Sequence, residues 1–289
     1  MIIVKLMGGL GNQMFEYAAA RSLANMKHVD LKLDLGWFDI KQVDTLRPYE
    51  LKDLNTTKHS ISATDFKLLD DNKVSRLKLR LSKNSNSLIN YTEQYFQFNR
   101  RVLSLPDYSY LDGYFQSEKY FHNIRDLLLS EFTPSYKLSK KVQQDLSWIN
   151  KTKNSVSIHI RRGDYVNNVN AASFHGTSPL DYYYKALREI QAKIKGNLTV
   201  FVFSDDQTWC KNNLKLDYET HFINSATRSF DDMWLMSHCN HNVIANSSYS
   251  WWGAWLNKNP EKVVIAPKDW FTDKSIDTKD LIPSTWQRI

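Results

Sequence analysis

The stretch Ser155-Val156-Ser157-Ile158-His159-Ile160-Arg161-Arg162-Gly163-Asp164-Tyr165 runs an alternating apolar strand into a turn that carries two arginines and an aspartate. Val156, Ile158 and Ile160 have the period-two spacing of a strand with one buried face. The charges begin where the strand's backbone hydrogen bonds stop. In open α/β sheets, ligands bind at those carboxyl ends. Two guanidiniums in a turn fixed by a strand present many donors to planar or tetrahedral oxygens, which suits a phosphate or pyrophosphate. A surface ion pair between Asp164 and Arg161 or Arg162 would leave the same pattern, so the rest of the chain has to decide.

Downstream the pattern repeats. Ser178 followed by Pro179 reads as an N-cap with proline at the first helical position, and the helix carries Leu180, Tyr184, Leu187, Ile190 and Ile194 up to Gly196-Asn197. Leu198 to Phe203 is a continuously apolar strand ending at Ser204-Asp205-Asp206. A helix over Phe230 to Cys239 leads to the strand Val243-Ile244-Ala245, then Asn246-Ser247-Ser248-Tyr249-Ser250-Trp251-Trp252, and Val263 to Ala266 is a last strand. Strands buried on both faces and alternating with helices imply a parallel sheet. Arg161 with Arg162, Asp205 with Asp206, and Ser247 with Ser248 and Ser250 then meet at one carboxyl edge, which favours an anion site over a chance ion pair. Serines at a helix start join hydroxyls to unpaired N–H groups and the positive end of the dipole, which suits phosphate. A strand-end aspartate can accept from a base edge such as guanine's. Asp205 and Asp206 are also candidates for a helix N-cap, and no third carboxylate completes a metal site. Trp251, Trp252 and Trp255 are expected to pack a helix on the sheet.

The first half opens with a strand from Ile2 to Leu6, the turn Gly8-Gly9-Leu10-Gly11-Asn12-Gln13, a helix through Met14, Phe15, Ala18, Ala19, Leu23 and Met26, and a second strand from Val29 to Leu35. It imitates a dinucleotide fingerprint, with Asp34 about twenty residues after the glycines. The third glycine position, however, falls on Met14. What survives is a backbone that a ligand can approach, with Asn12 and Gln13 at the helix start. Basic residues then accumulate at Lys73, Arg76, Lys78, Arg80, Lys83, Arg100 and Arg101, around a helical run of Phe66, Leu69, Leu77 and Leu81 and a polar loop from Ser82 to Ser87. Such a run is commonly a solvated face; an acceptor groove or a membrane-facing surface is the alternative. Tyr110 to Gln116 reads as an aromatic strand and Ser117 to Phe132 as a helix capped by Ser117. Pro134 and the polar stretch from Lys137 to Lys153 mark a boundary, giving domains 1–150 and 151–289.

The chain has 289 residues, 42% hydrophobic and 13% aromatic, enough for one large or two medium globular domains. A net charge of +7 and a pI near 9.1 favour an anionic partner, whether nucleotide, acidic glycan or membrane surface. Cys210 and Cys239 have neither zinc-site nor disulfide spacing, which points to a reducing compartment. Neither a signal-peptide core nor a spanning run of roughly 18 apolar residues stands out. A cytoplasmic protein is expected, compatible with work at the inner face of the plasma membrane.

Gly8-Gly9-Leu10-Gly11-Asn12-Gln13-Met14-Phe15, Gly113-Tyr114-Phe115-Gln116, His159 to Tyr165, Phe203-Ser204-Asp205-Asp206 and Asn246 to Trp252 together resemble, in order, the blocks of glycosyltransferase family 11, the bacterial α-1,2-fucosyltransferases. Glu16 stands where glutamine is common. The resemblance implies a GT-B architecture, α/β with two Rossmann-like domains whose parallel sheets face a cleft: an N-terminal acceptor side and a C-terminal donor side. It also implies GDP-β-L-fucose as donor, a galactose-containing oligosaccharide or lipid-linked glycan as acceptor, inversion at the anomeric carbon, and neither a cofactor, an obligatory metal nor nucleic acid. On this resemblance Arg161 holds the donor pyrophosphate. Gly9, Asn12, Gln13, Arg162, Ser204, Asp205, Asp206, Asn246, Ser247, Ser248 and Ser250 are its donor-side companions, and Tyr114, Gln116 and Tyr165 contact the acceptor. An inverting transfer benefits from a base. Asp164 is the first candidate, with orienting Arg162 as its other role. His159 and Glu16 follow, and His159 is equally explained as a strand histidine with a structural hydrogen bond.

Overall fold

The computed structural model describes residues 1–40, 46–62, 88–163, 173–174 and 176–289. The expected helical run around Phe66 to Leu81, the loop Ser82 to Ser87 and the basic residues from Lys73 to Lys83 lie outside them, as do Asp164 and Tyr165. Two compact units emerge, Met1–Glu131 with Lys279–Leu281 and Phe132–Thr278 with Ile282–Ile289.

The first unit contains β1 (Ile2–Lys5), α1 (Leu10–Lys27), β2 (Leu31–Asp34), the single turn α2 (Gly36–Asp39), β3 (Ile89–Thr92), β4 (Ser109–Asp112) and α3 (Arg125–Glu131). Its sheet is parallel in the order β2-β1-β4-β3. Ile2, Ile3 and Val4 are fully buried, and α1, with Met14, Phe15, Ala18 and Leu23 buried, packs on β1. The helix expected from Ser117 shrinks to α3. Ser117 instead accepts from the Lys119 N–H at the start of a short 3-10 turn and donates to the Asp280 carbonyl at 2.7 Å. Strand β3, whose side chains are mostly exposed, has no alternation to announce it.

The second unit contains α4 (Lys140–Lys151), β5 (Ser155–Ile160), α5 (Leu180–Lys193), β6 (Thr199–Ser204), α6 (Gln207–Asn213), β7 (Glu219–Phe222), α7 (Ser229–Ser237), β8 (His241–Val243), α8 (Ser248–Leu256), β9 (Val264–Ala266) and β10 (Gln287–Arg288). The order β10-β9-β8-β5-β6-β7 is parallel throughout. The stretch read as a boundary is largely α4. Its Val142 and Ile149, one heptad apart, are buried and the helix packs on α7. The division between the units therefore falls after Glu131 and not near 150. Helix α5 begins one residue later than expected, with Pro179 as its N-cap.

Strand β5 is buried on both faces, not one. Val156, Ile158 and Ile160 pack with Tyr183, Leu187 and Ile190 of α5. On the opposite face Ser157 accepts from Asn242 Nδ2 at 2.7 Å and Ser155 from the Asn240 N–H at 3.0 Å, so both buried serines are satisfied. Trp251 and Trp252 are fully buried against Trp286 and Phe132, with ring centroids 5.3 and 5.1 Å apart, which confirms their packing role. Truncating either would cost roughly 3–5 kcal/mol. Among the described residues no helix is long and apolar enough to cross a membrane.

Candidate active site

In the second unit, β5 lies between β6 and β8, which brings the three polar turns together. The register Ile160↔Ser204 sets Arg161 beside Asp205. Arg161 Nη1 lies 2.9 Å from Asp205 Oδ2, and the Arg162 N–H donates to Asp205 Oδ1 at 2.8 Å. One carboxylate thus holds a guanidinium and the loop that carries it. A Cβ on Gly163 would come within 2.7 Å of Asp205 Oδ2, so the glycine lets the loop approach that carboxylate. The Arg162 guanidinium lies over the Trp209 ring at 3.7 Å, with Nε 3.5 Å from Asp206 Oδ2. Asp206 also caps α6, accepting the Trp209 N–H at 3.0 Å, and Ser204 Oγ accepts the Asp206 N–H at 3.0 Å.

The arginines therefore pair with the aspartates of the next strand's turn. Those aspartates, expected to read a base edge, are committed to the arginines and to a helix end. Arg161 and Asp205 keep side-chain exposures of 21% and 24%, so an incoming anion can reach the pair. His159 is buried behind them and its pKa is lowered to about 4, chiefly by burial and further by Arg161, against the opposing pull of Asp205. Its ring centroid is 5.6 Å from that of Tyr249, and Nδ1 has no hydrogen-bond partner among the described residues. The imidazole is neutral at physiological pH and is matched as a base only to acidic conditions.

At the third turn the serines diverge. Ser247 caps α8 by accepting the Tyr249 N–H at 3.3 Å. Ser250 is fully buried and donates back to the Ala245 and Ser247 carbonyls at 3.4 and 3.3 Å. Ser248, the first residue of α8, is half-buried, and its hydroxyl is bonded to no described residue. It is the serine placed to meet a phosphate at the helix N-terminus. Asn246 Nδ2 clamps loops, donating to the Gly176 and Trp270 carbonyls at 3.3 and 3.2 Å. Tyr249 ties α8 to α7, donating to the Ser229 carbonyl and accepting from the Met233 N–H at 3.1 Å.

In the first unit, the residues read as ligand contacts brace the glycine turn. Gln13 donates to the Gly8 and Pro48 carbonyls and accepts from the Glu50 and Leu51 N–H groups, at 2.9 to 3.1 Å. All four of its hydrogen bonds serve the fold, which argues against the expected donor contact. Asn12 Oδ1 accepts from Gln116 Nε2 at 2.9 Å, so a presumed donor contact and a presumed acceptor contact hold each other. Gly8 has φ of 70°, and a Cβ there would meet Asn12 Nδ2 at 2.8 Å. Gly9 supplies the N-cap position of α1 without a side-chain bond. Glu16 is fully buried, its Oε2 accepting the Met7 N–H at 2.9 Å, and burial raises its pKa well above the ordinary glutamate value. It touches no solvent and serves the turn rather than a substrate. Tyr114 is half-buried, with a pKa also raised by burial.

Two carboxylates escape a sequence reading. Asp232 on α7 is half-buried, with Oδ1 sealed from solvent and unpartnered among the described residues and a pKa raised to about 7 by desolvation, Asp231 and Asp145. Glu93 follows β3, and its pKa is raised to about 7 by burial against two backbone hydrogen bonds. Neither lies in a motif, and only tertiary contacts single them out.

Two α/β units on parallel sheets, with arginines and a helix N-terminus at the carboxyl edge of the second, are the build of a GT-B glycosyltransferase. The chain belongs to Glycosyl transferase family 11, whose profile matches residues 1–289. It is 37% identical over 285 residues to the O-antigen biosynthesis glycosyltransferase WbnK of Escherichia coli, covering 92% of this chain and 93% of the relative. An alpha-1,2-colitosyltransferase, also of Escherichia coli, is 34% identical over 294 residues, covering 100% of this chain and 98% of the relative. In fold, the chain resembles a mutant of Arabidopsis thaliana FUT1 solved in complex with GDP, with a TM-score of 0.53 and 12% identity over 98% of this chain and 74% of that one.

Proposed function

We propose that the protein transfers L-fucose from GDP-β-L-fucose to the 2-hydroxyl of a galactose-terminated acceptor in surface-glycan assembly, with inversion and without an obligatory metal. The observation that carries this reading is the Arg161–Asp205 pair at the same sheet edge as the N-terminus of α8. Departure of a diphosphate builds negative charge on its oxygens. A guanidinium preorganised by a carboxylate, together with the N–H groups and Ser248 hydroxyl of a helix start, stabilises that charge. Asp205 sets the guanidinium in place for the diphosphate. The O-antigen relative supports the pathway class, and the colitosyltransferase supports the 1,2 linkage.

Calorimetric titration with GDP, UDP and ADP tests the donor. GDP is expected to bind most tightly, and a preference for either of the others sinks the reading. Release of GDP from GDP-fucose only in the presence of a galactoside separates a transferase from a binding protein, and EDTA is expected to leave the rate unchanged. The colitosyltransferase likeness favours a second reading, transfer of a different GDP-activated deoxysugar. Competition between GDP-fucose and GDP-colitose for turnover decides between the two. The net charge of +7 suggests contact with an anionic bilayer; co-sedimentation with phosphatidylglycerol vesicles, lost at high salt, is the expected sign.

A further inference from the structure

The Gly113-Tyr114-Phe115-Gln116 motif builds a cradle for one carboxylate. The ladder between β3 and β4 continues past its last pair, with the Glu93 N–H donating to the Asp112 carbonyl at 2.8 Å, which sets Glu93 beside Gly113. Glu93 Oε2 then accepts the N–H groups of Tyr114 and Phe115 at 2.8 and 2.9 Å. A Cβ on Gly113 would fall 2.3 Å from Glu93 Cβ, a clash of two backbone-fixed atoms that no rotamer relieves. Phe115 pays for the turn with φ of 50°, a left-handed conformation that an aromatic residue seldom adopts, and it is held there by full burial against Tyr91 and Tyr120. Strain of this kind persists where the surroundings over-determine it, characteristically at functional sites.

The result is a carboxylate with one oxygen fixed and one left over. Glu93 is half-buried, and its Oε1 is bonded to no described residue and is not sealed from solvent. A side chain needed only to brace the turn could engage both of its terminal polar atoms, as Gln13 does with Nε2 and Oε1. The other acids nearby are differently placed. Glu16 is sealed, Asp112 is ion-paired to Lys5 at 3.1 Å, and Asp34 accepts from the Tyr110 hydroxyl at 2.6 Å and the Gly36 N–H at 2.9 Å.

Resting on the transferase reading above, we infer that Glu93 is the catalytic base of the acceptor side, binding the attacking hydroxyl through Oε1. As the acceptor oxygen bonds to the anomeric carbon, its proton passes to Oε1. The bond from that carbon to the phosphate oxygen breaks, and its electron pair leaves on the diphosphate. A base near neutral pKa serves this step best, and burial places Glu93 there, at about 7. The titratable groups that sense its charge are Glu16 on α1, Tyr91 on β3 and Tyr120 after β4. Burial raises the pKa of all three, which keeps the two tyrosines neutral near pH 7.

The test compares wild type with Glu93→Gln, using GDP-fucose with lactose as the first acceptor probe. The variant is expected to lose about a hundredfold or more in kcat for transfer, while GDP affinity and the slow hydrolysis of donor without acceptor stay within about threefold. A bracing role would lower transfer and hydrolysis together. Wild-type kcat is expected to rise with pH through about 7, and that limb is lost in the variant. Transfer within fivefold of wild type, a parallel loss of hydrolysis, or a wild-type kcat flat between pH 6 and 8 overturns the inference. The wild-type profile decides even if the variant fails to fold. A wild type that neither binds GDP nor fucosylates lactose or another β-galactoside breaks the underlying reading instead.

Discussion

Both units end parallel strands at a polar edge, yet the two edges are built from different materials. In the second, charge is held by charge across neighbouring strands, Arg161 to Asp205 and Arg162 to Asp206, with glycine where the loop crosses the carboxylate. In the first, carboxylates are held by main chain, Glu93 by Tyr114 and Phe115 and Glu16 by Met7. Ion-paired arginines make an edge that anions can enter by exchange. A carboxylate held by backbone N–H groups and raised toward neutrality makes an edge that can accept a proton.

Arg161→Ala gives the sharpest break of this comparison. It should lower kcat by about a hundredfold or more, the usual loss for one preorganised donor, with little change in thermal stability; near-normal turnover with GDP-fucose would remove the arginine edge from the chemistry. Next comes Gly113→Ala, whose Cβ meets Glu93 Cβ at 2.3 Å. Denaturant titration should show about 1–3 kcal/mol of lost stability. Gly163→Ala meets only the carboxylate tip of Asp205 and should weaken GDP binding more than it lowers stability. Gln13→Ala orphans buried backbone groups and should cost about 1–3 kcal/mol while GDP affinity stays within twofold, and a large loss of affinity would restore Gln13 as a donor contact. The smallest effect is expected from Asp232→Asn. In the fold Asp232 keeps its proton up to about pH 7, whereas the unfolded chain releases it near 3.8, the ordinary value of an aspartate. Wild type therefore loses stability as pH rises through that window. The substitution should raise Tm by a few degrees at pH 8 and leave it unchanged at pH 4.

Much of the second unit was legible because its signals are local. Apolar runs marked β5, β6 and β8, and the arginines, aspartates and serines stood at their ends. The error there was one of partners, since Asp205 and Asp206 answer Arg161 and Arg162 from about forty residues away. Ser250 and Asn246 looked like ligand contacts because serine and asparagine beside a helix start serve phosphate and backbone equally well. The first unit was less legible. Asn12, Gln13 and Gln116 turned inward to brace the glycine turn. Glu93, on a strand with mostly exposed side chains, had no motif to draw attention to it.

The sequence by itself determined the parallel α/β class, the family and the strand end at which Arg161 stands, because period, turn chemistry and motif order are written along the chain. Tertiary structure alone decided that Asp205 holds that arginine, that Ser248 rather than Ser250 is open at the helix start, and that Gly113 exists to admit Glu93. Those depend on which oxygens and N–H groups remain unpaired once distant strands align, and that balance is struck only in the folded chain.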